Sequence, residues 1–275
     1  LRKEIPLGRR LGIKGWRVET ICHWASETPG LYLAAKLMWD PDADVDALLE
    51  DFYTRFFGPA AGPMQRYLET LDHAMRTADY HTGCVWNIPD VYSPEVRERA
   101  RMALDEARSR ARDGIYARRV AVFSQSFDFL EAGVSMLANE ARLDFSAAYA
   151  DLARLQAAQA GLLALDPPLL NPRGSPSFVK RFVSQPVEQG YARTTGGNKM
   201  VAACDDEWEF LLDPRGAGQD LQWFNPRWRG GNWQRIRTTT ASWSDQGLRY
   251  YKGQAWYRQT VSVPAAFSRQ RVFLW

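Results

Sequence analysis

Four side chains near the amino terminus have types and spacing that could do chemistry together: Glu19, His23, Trp24 and Glu27. Two carboxyl groups held in unlike surroundings can divide the work of proton donor and acceptor. The imidazole between them can hydrogen-bond and the indole can stack. The plain alternative is that each Glu caps a helix or pairs at the surface with a neighbour such as Arg17. Other chemistries find no pattern. The three histidines, His23, His73 and His81, contain no pair at metal-ligand spacing, and Cys22, Cys84 and Cys204 are too scattered for a metal or redox motif. Gly196-Gly197-Asn198 and Gly230-Gly231-Asn232 read as turns and not as phosphate loops, and there is no Gly-x-Ser-x-Gly elbow. No metal or cofactor is therefore expected.

The elements around these residues read as a strand over Gly15–Ile21, a loop over Cys22–Thr28, and a helix opened by Thr28-Pro29, with Leu1–Gly12 as a preceding loop. Apolar stripes at helical spacing follow: Val45, Leu48, Leu49, Phe52 and Phe56, then Met64, Tyr67, Leu68, Leu71 and Met75. Past a loop over Tyr80–Tyr92, Ser93-Pro94-Glu95 opens another helix. The stripes return in Phe123, Phe127, Leu130, Val134 and Leu137, and in Phe145, Tyr149, Leu152, Leu155, Ala158 and Leu162. Repeated helix stops favour packed antiparallel neighbours over an isolated coiled coil. Residues 29–165 read as a helical bundle, and 166–200, rich in Pro, Gly and Ser, as a linker. Residues 201–275 read as short strands, with alternation over Gln254–Val263 and a last strand over Arg271–Trp275.

Composition sets bounds. At 275 residues, with 45% hydrophobic and 24% charged side chains, the chain can build more than one globular core, and a formal charge of +3 is too small to claim nucleic acid or a membrane surface. No run reaches the length of a membrane span and no secretion signal opens the sequence. The chain begins at Leu1, so the signal of a secreted or periplasmic parent would lie upstream, and the sequence reads as an internal piece of a longer protein.

Two stretches resemble known families. Trp208-Glu209-Phe210-Leu211-Leu212-Asp213, then Trp233, then Trp243-Ser244-Asp245-Gln246-Gly247, then Gly253-Gln254-Ala255-Trp256-Tyr257-Arg258 resembles the sugar-binding jelly roll beside the barrel of beta-galactosidase-type glycoside hydrolases. Leu31–Pro41, with Leu48-Leu49-Glu50-Asp51-Phe52 and Phe57-Gly58, looks like the barrel end and helical domain of alpha-glucuronidase-like enzymes. Together they imply a multidomain α+β chain: the end of a TIM-type barrel (1–28), an α-helical bundle (29–165), the linker, and a partial antiparallel β-sandwich, a galactose-binding-like jelly roll (201–275).

On that likeness the parent is a glycoside hydrolase acting on an oligo- or polysaccharide, and the loop after the last barrel strand faces the catalytic mouth. Glu19 and Glu27 are then the candidate catalytic pair, and His23 and Trp24 contact substrate. The rival readings are a carbohydrate-binding or interaction module without chemistry, and a scaffold that forms a homodimer through the bundle. Trp208, Trp233, Trp243 and Trp256 are each read as core before ligand platform. Hydrolysis requires two carboxyls held at a defined separation, and a single barrel strand cannot hold them, so the chain by itself is not expected to be a complete enzyme.

Overall fold

The computed structural model describes residues 1–17, 24–79, 87–166 and 168–275, and they fall into two units, Leu1–Gly196 and Gly197–Trp275. Helices build the first: α1 (Glu4–Arg10), α2 (Trp24–Trp39), α3 (Val45–Phe57), a 3₁₀ turn at Gly58–Ala60, α4 (Ala61–Thr77), α5 (Ile88–Val91), α6 (Pro94–Arg110), α7 (Gly114–Ala141), α8 (Phe145–Leu163), α9 (Gly174–Val179), a π turn at Lys180–Ser184, and α10 (Gln185–Thr194). Side-chain oxygens open several of them. Asp44 accepts from the Asp46 and Ala47 N–H groups at 2.9 and 3.2 Å, and Asp144 accepts from Ala147 N–H at 3.0 Å.

The aromatic stripe of α3 and the stripe of α4 meet α6 and α7 in one core, with Phe52, Phe57, Met64, Tyr67, Leu104, Phe123 and Phe127 buried. The rings meet mostly edge to face: Phe57 on Phe123 at 5.3 Å and 74°, Tyr67 on Phe127 at 5.6 Å and 89°. Arg101 of α6 lies over the Phe127 ring, 4.7 Å from its centroid, and pairs with Asp128 at 2.7 Å and with Glu131. Farther along α7, Ala132 and Met136 join Leu152 and Leu155 of α8 in a second cluster with Val179, Val183 and Val187.

That second cluster corrects the linker. Within 166–200, Gly174–Thr194 is helical and packed on α8: the Gly190 backbone lies against the Phe145 ring, which leaves no room for a Cβ, and Tyr191 stacks on Tyr149 at 4.2 Å and 9°. The Pro and Gly content obscured three valines four residues apart, which is the driving feature. Pro186, which has no N–H and crowds the carbonyl four residues back, is the second residue of α10, just past the π turn that contains that carbonyl.

The amino-terminal expectations change as well. Leu1–Gly12 holds α1 and not a loop, and α2 starts at Trp24 with Pro29 inside it, so Thr28 does not cap its start. A proline removes one hydrogen bond, and the burial of Ala34 and Leu37 beyond it sustains the helix. Residues 15–17 of the expected strand carry no strand pairing, and its remainder lies outside the described residues.

The second unit holds one antiparallel sheet in the order β2-β1-β3, built from β1 (Glu207–Asp213), β2 (Gln234–Arg237) and β3 (Gln254–Arg258). Opposed pairs include Trp208 with Ile236 and Phe210 with Tyr257, so one face buries Ile236 and Phe210, with the Trp243 ring against Phe210. Among the described residues this is a single open sheet of three strands, where a partial β-sandwich was expected. The alternation over Gln254–Val263 yields a strand only to Arg258, and Arg271–Trp275 is not a strand but exposed chain.

Two carboxylates hold this unit's turns. Asp206 accepts the Thr239 hydroxyl at 2.6 Å, the Thr240 hydroxyl, and the N–H groups of Thr238 and Thr239 at 3.0 and 2.6 Å; the hydroxyls of Thr239 and Thr240 chiefly hold its pKa well below the ordinary carboxylate range. Buried Asp213 accepts the Trp256 indole N–H at 3.0 Å and the Ala217 and Gly218 N–H groups at 2.8 Å each. Burial pulls its pKa up, and these donors together outweigh that pull, so the net displacement is downward.

Replacing Phe127 with Ala is expected to cost about 3–5 kcal/mol, read as a fall in urea midpoint; an unchanged midpoint would show that Phe127 does not anchor the core. A second expectation concerns acid. A carboxylate whose folded-state pKa is depressed stabilises fully above its unfolded value, about 3.9, and that contribution is lost as pH falls toward the folded value. The tryptophan-reported urea midpoint should therefore drop below about pH 4, and Asp206→Asn should flatten the drop. Equal pH slopes for the two proteins would exclude Asp206 as a contributor.

Candidate functional site

Of the four nominated side chains, Glu19 and His23 lie outside the described residues, as does the side chain of Trp24, the first residue of α2. Glu27 is half-buried in the first turn of α2, where a helix N-terminus favours a carboxylate. That placement matches the capping alternative as well as a catalytic one. The structure therefore brings no two of the four together among the described residues.

What it does form near them is two open grooves. One, of about 580 Å³, is lined by Thr28 and Tyr32 of α2, by Asp51, Phe52, Arg55 and Phe56 of α3, and by Arg119 of α7. Its floor is a row of rings: Tyr32 to Phe52 at 5.2 Å and Phe52 to Phe56 at 5.1 Å. The Arg119 guanidinium covers Phe56 at 4.3 Å and donates to the Phe56 carbonyl at 2.8 Å, at the carbonyl end of α3, where a cation is favoured. Among the described residues Asp51 is the one carboxylate lining this groove, and it is bound to Arg55 at 2.5 Å, which raises the Arg55 pKa.

The other groove, of about 810 Å³, is lined by Ile5 and Arg9 of α1, by Ile13, Lys14, Gly15 and Trp16, and by Met38, Trp39, Asp40 and Pro41 at the end of α2. It presents two indoles, Trp39 at 92% exposure and Trp16 at 41%, beside charged groups. The local sequence builds it. Gly12, at φ +81°, lets the Gly12 N–H bond the Arg9 carbonyl and the Ile13 N–H bond the Gly8 carbonyl, a closure that ends α1 and turns the chain back. The Trp16 ring then rests on the bare backbone of Gly8. Arg9 bonds Asp42 at 2.6 Å, tying α1 to the segment after α2. The Asp40 carboxylate accepts the Asp42 N–H at 3.2 Å. The groove's lining ends at Trp16, two residues before the segment that contains Glu19 and His23.

Sequence reasoning missed Trp16 and Trp39 as a pair. The Gly8 and Gly12 spacing signalled the closure that brings them to one groove.

In the second unit the expected core indoles are half-buried, and each N–H has a partner: Trp208 on the Asp205 carbonyl (2.8 Å), Trp233 on the Gly230 carbonyl (3.2 Å), Trp243 on the Tyr257 hydroxyl (2.6 Å) and Trp256 on Asp213. Trp223, Trp228 and Trp233 continue from Trp256 as a chain of ring contacts at 5.2–6.2 Å. The Trp223 N–H is buried without a partner. Among the described residues no group of three or more His, Cys, Asp or Glu could hold a metal, and no helix is long and apolar enough to cross a membrane.

Residues 1–69, which hold most of both groove linings, match the model of a domain of unknown function, DUF4838. Neither a curated protein nor a solved structure matches the chain.

A Gly8→Val substitution should displace Trp16 from the α1 backbone and open the larger groove. The expected readout is a red-shifted, more quenchable tryptophan emission with helix content retained; emission identical to that of the parent chain would place Trp16 elsewhere.

Proposed function

We propose that this chain is part of a carbohydrate-active enzyme, a glycoside hydrolase in its parent protein, with residues 1–28 as a barrel edge, a helical domain behind it, and a jelly-roll-like unit at 201–275. The observation that carries the reading is the groove of about 810 Å³ between α1 and the end of α2. Two exposed indoles offer flat apolar faces for the C–H side of a sugar ring, and Arg9, Lys14 and Asp40 stand where hydroxyls would need partners. In sequence the lining residue Trp16 is followed closely by Glu19 and His23, the nominated acid–base and substrate-contact residues, and then by Trp24 and Glu27 in the first turn of α2.

The alternative, a carbohydrate-binding or interaction module without chemistry, has a specific observation in its favour. Among the described residues each groove is lined by a single carboxylate, Asp51 in one and Asp40 in the other, whereas hydrolysis uses two on either side of the scissile bond. A carbohydrate-binding module would bind sugar as the hydrolase does, an interaction module would not, and on the hydrolase reading catalysis needs the neighbouring strands of the parent.

Binding is tested by fluorescence titration with soluble plant oligosaccharides. Because Trp39 is almost fully exposed, Trp39→Ala should shift stability by less than about 0.5 kcal/mol while weakening binding about tenfold, the loss of a stacking contact near 1.4 kcal/mol. Unaltered binding in the variant would remove the groove from the reading. Turnover of an aryl glycoside by the purified chain, abolished by Glu19→Gln or Glu27→Gln, would instead make this segment a self-sufficient site.

A further inference from the structure

The larger groove has its walls on two different stretches of chain. Ile5 and Arg9 of α1, with the turn through Ile13, Lys14, Gly15 and Trp16, form one wall, and Met38, Trp39, Asp40 and Pro41 at the end of α2 form the other. The Trp16 ring rests on the Gly8 backbone and so moves with α1, whereas Trp39 is the last residue of α2. Either wall alone carries one indole. The groove exists only where the two meet.

What holds α1 against the second wall is slight. Of its seven residues only Ile5 and Gly8 are buried, and Leu7 and the following Leu11 stay exposed. Ile5 joins Leu37 and Val45 in a small apolar cluster, while Gly8 is covered by Trp16 from the same wall. The remaining ties are two ion pairs, one near each end of the helix. Arg2 donates from both terminal nitrogens to Asp46, at 2.8 and 2.6 Å, and Arg9 pairs with Asp42 at 2.6 Å. All four side chains are exposed, where such pairs are weak and screened by salt. A third pair, the Leu1 ammonium with Glu4, lies within the α1 segment and does not bridge to its support. A seven-residue helix does not persist by itself, because its few hydrogen bonds do not recover the cost of nucleation. Undocking and unwinding of α1 are therefore one event. Its free energy is set by one buried side chain and two exposed pairs, far below that of unfolding the aromatic core around Phe123 and Phe127.

We propose that α1 and its closure, residues 2–16, form a strap that undocks as a unit from the start of α3 and the end of α2 while the rest of the helical unit stays folded, taking one wall of the larger groove with it. An occupant that spans Trp16 and Trp39 binds the docked state alone, so it holds the strap down, and by linkage whatever loosens the strap weakens its binding. That second step rests on the carbohydrate reading above, with an oligosaccharide as the occupant. The undocking itself does not.

The test is hydrogen exchange of the whole chain followed by mass spectrometry. The N–H groups of Leu7, Leu11, Gly12 and Ile13, bonded to the Lys3, Leu7, Arg9 and Gly8 carbonyls, should exchange together, slower than an unstructured peptide but about a hundredfold or more faster than those around Phe123 and Phe127. The Arg2→Gln/Asp42→Asn variant breaks both pairs without touching a residue that lines the groove. It should exchange at α1 about fivefold faster in low salt, with an unchanged melting temperature. High salt should bring the parent to the rate of the variant and leave the variant where it was. Exchange of α1 at the rate of α7, no protection of α1 at all, or a parent rate that neither the substitutions nor salt alters would each overturn the proposal. Soluble plant oligosaccharide at saturation should slow exchange at α1 and leave α7 unchanged; oligosaccharide that binds without slowing α1 would overturn the coupling. If no oligosaccharide binds, the carbohydrate reading fails, and exchange in the free chain still decides whether the strap undocks.

Discussion

The helical unit depends on one shared wall. Helix α7, about 42 Å long at 1.5 Å per residue, gives Phe123 and Phe127 to the cluster with α3, α4 and α6, and Ala132 and Met136 to the cluster with α8 and the α9–α10 segment. The link is close at Phe127, which is edge-on to Tyr67 and covered by Arg101, while Arg101 is itself held by Asp128 and Glu131 one turn along the same helix. Burial depresses and the two carboxylates raise the Arg101 pKa, with a net rise, so the cation persists in its half-buried position. The groove floored by Tyr32, Phe52 and Phe56 inherits its geometry from this packing, because Arg119 reaches it from α7.

The sheet unit is organised differently. It has a few buried apolar side chains, Phe210 and Ile236 foremost, and much of its order comes from polar groups that close turns. Asp213 joins the end of β1 to β3 through Trp256 and to the following turn through Ala217 and Gly218; Asp206 closes the threonine turn after β2. Carboxylates spent this way hold turns in place of a larger apolar core.

Much of the helical unit could be read in the sequence because its signals are local. The stripe through Val45, Phe52 and Phe56 and the cap at Ser93 act within a turn or two of themselves. The misreadings came from weighing breakers above burial. In 171–198 the Pro, Gly and Ser content outweighed Val179, Val183 and Val187, and in 1–12 the glycines concealed a short helix whose terminator is Gly12. The sheet was legible as short strands, two of them aromatic, but strand partners are distant in sequence, so alternation continued past Arg258 where pairing stopped. The candidate site was legible as residue types alone: Trp16 and Trp39 approach one groove through the closure of α1, which no spacing between them announces. A whole-chain sum of charge also conceals that the two units differ in sign.

The π turn at Lys180–Ser184 fixes more than the place of a proline. Three valines spaced by four residues would drift about 40° per step around an ideal α-helix, and the wider turn takes back part of that drift, keeping Val179, Val183 and Val187 against α8. One residue removed there would let the helix close to ordinary winding and turn everything beyond by about 100°. Tyr191 would leave Tyr149, and Gly190 would leave Phe145. The exposed positions Lys180, Arg181 and Phe182 are free to change identity, whereas the number of residues is not: this stretch is permissive in composition and strict in length.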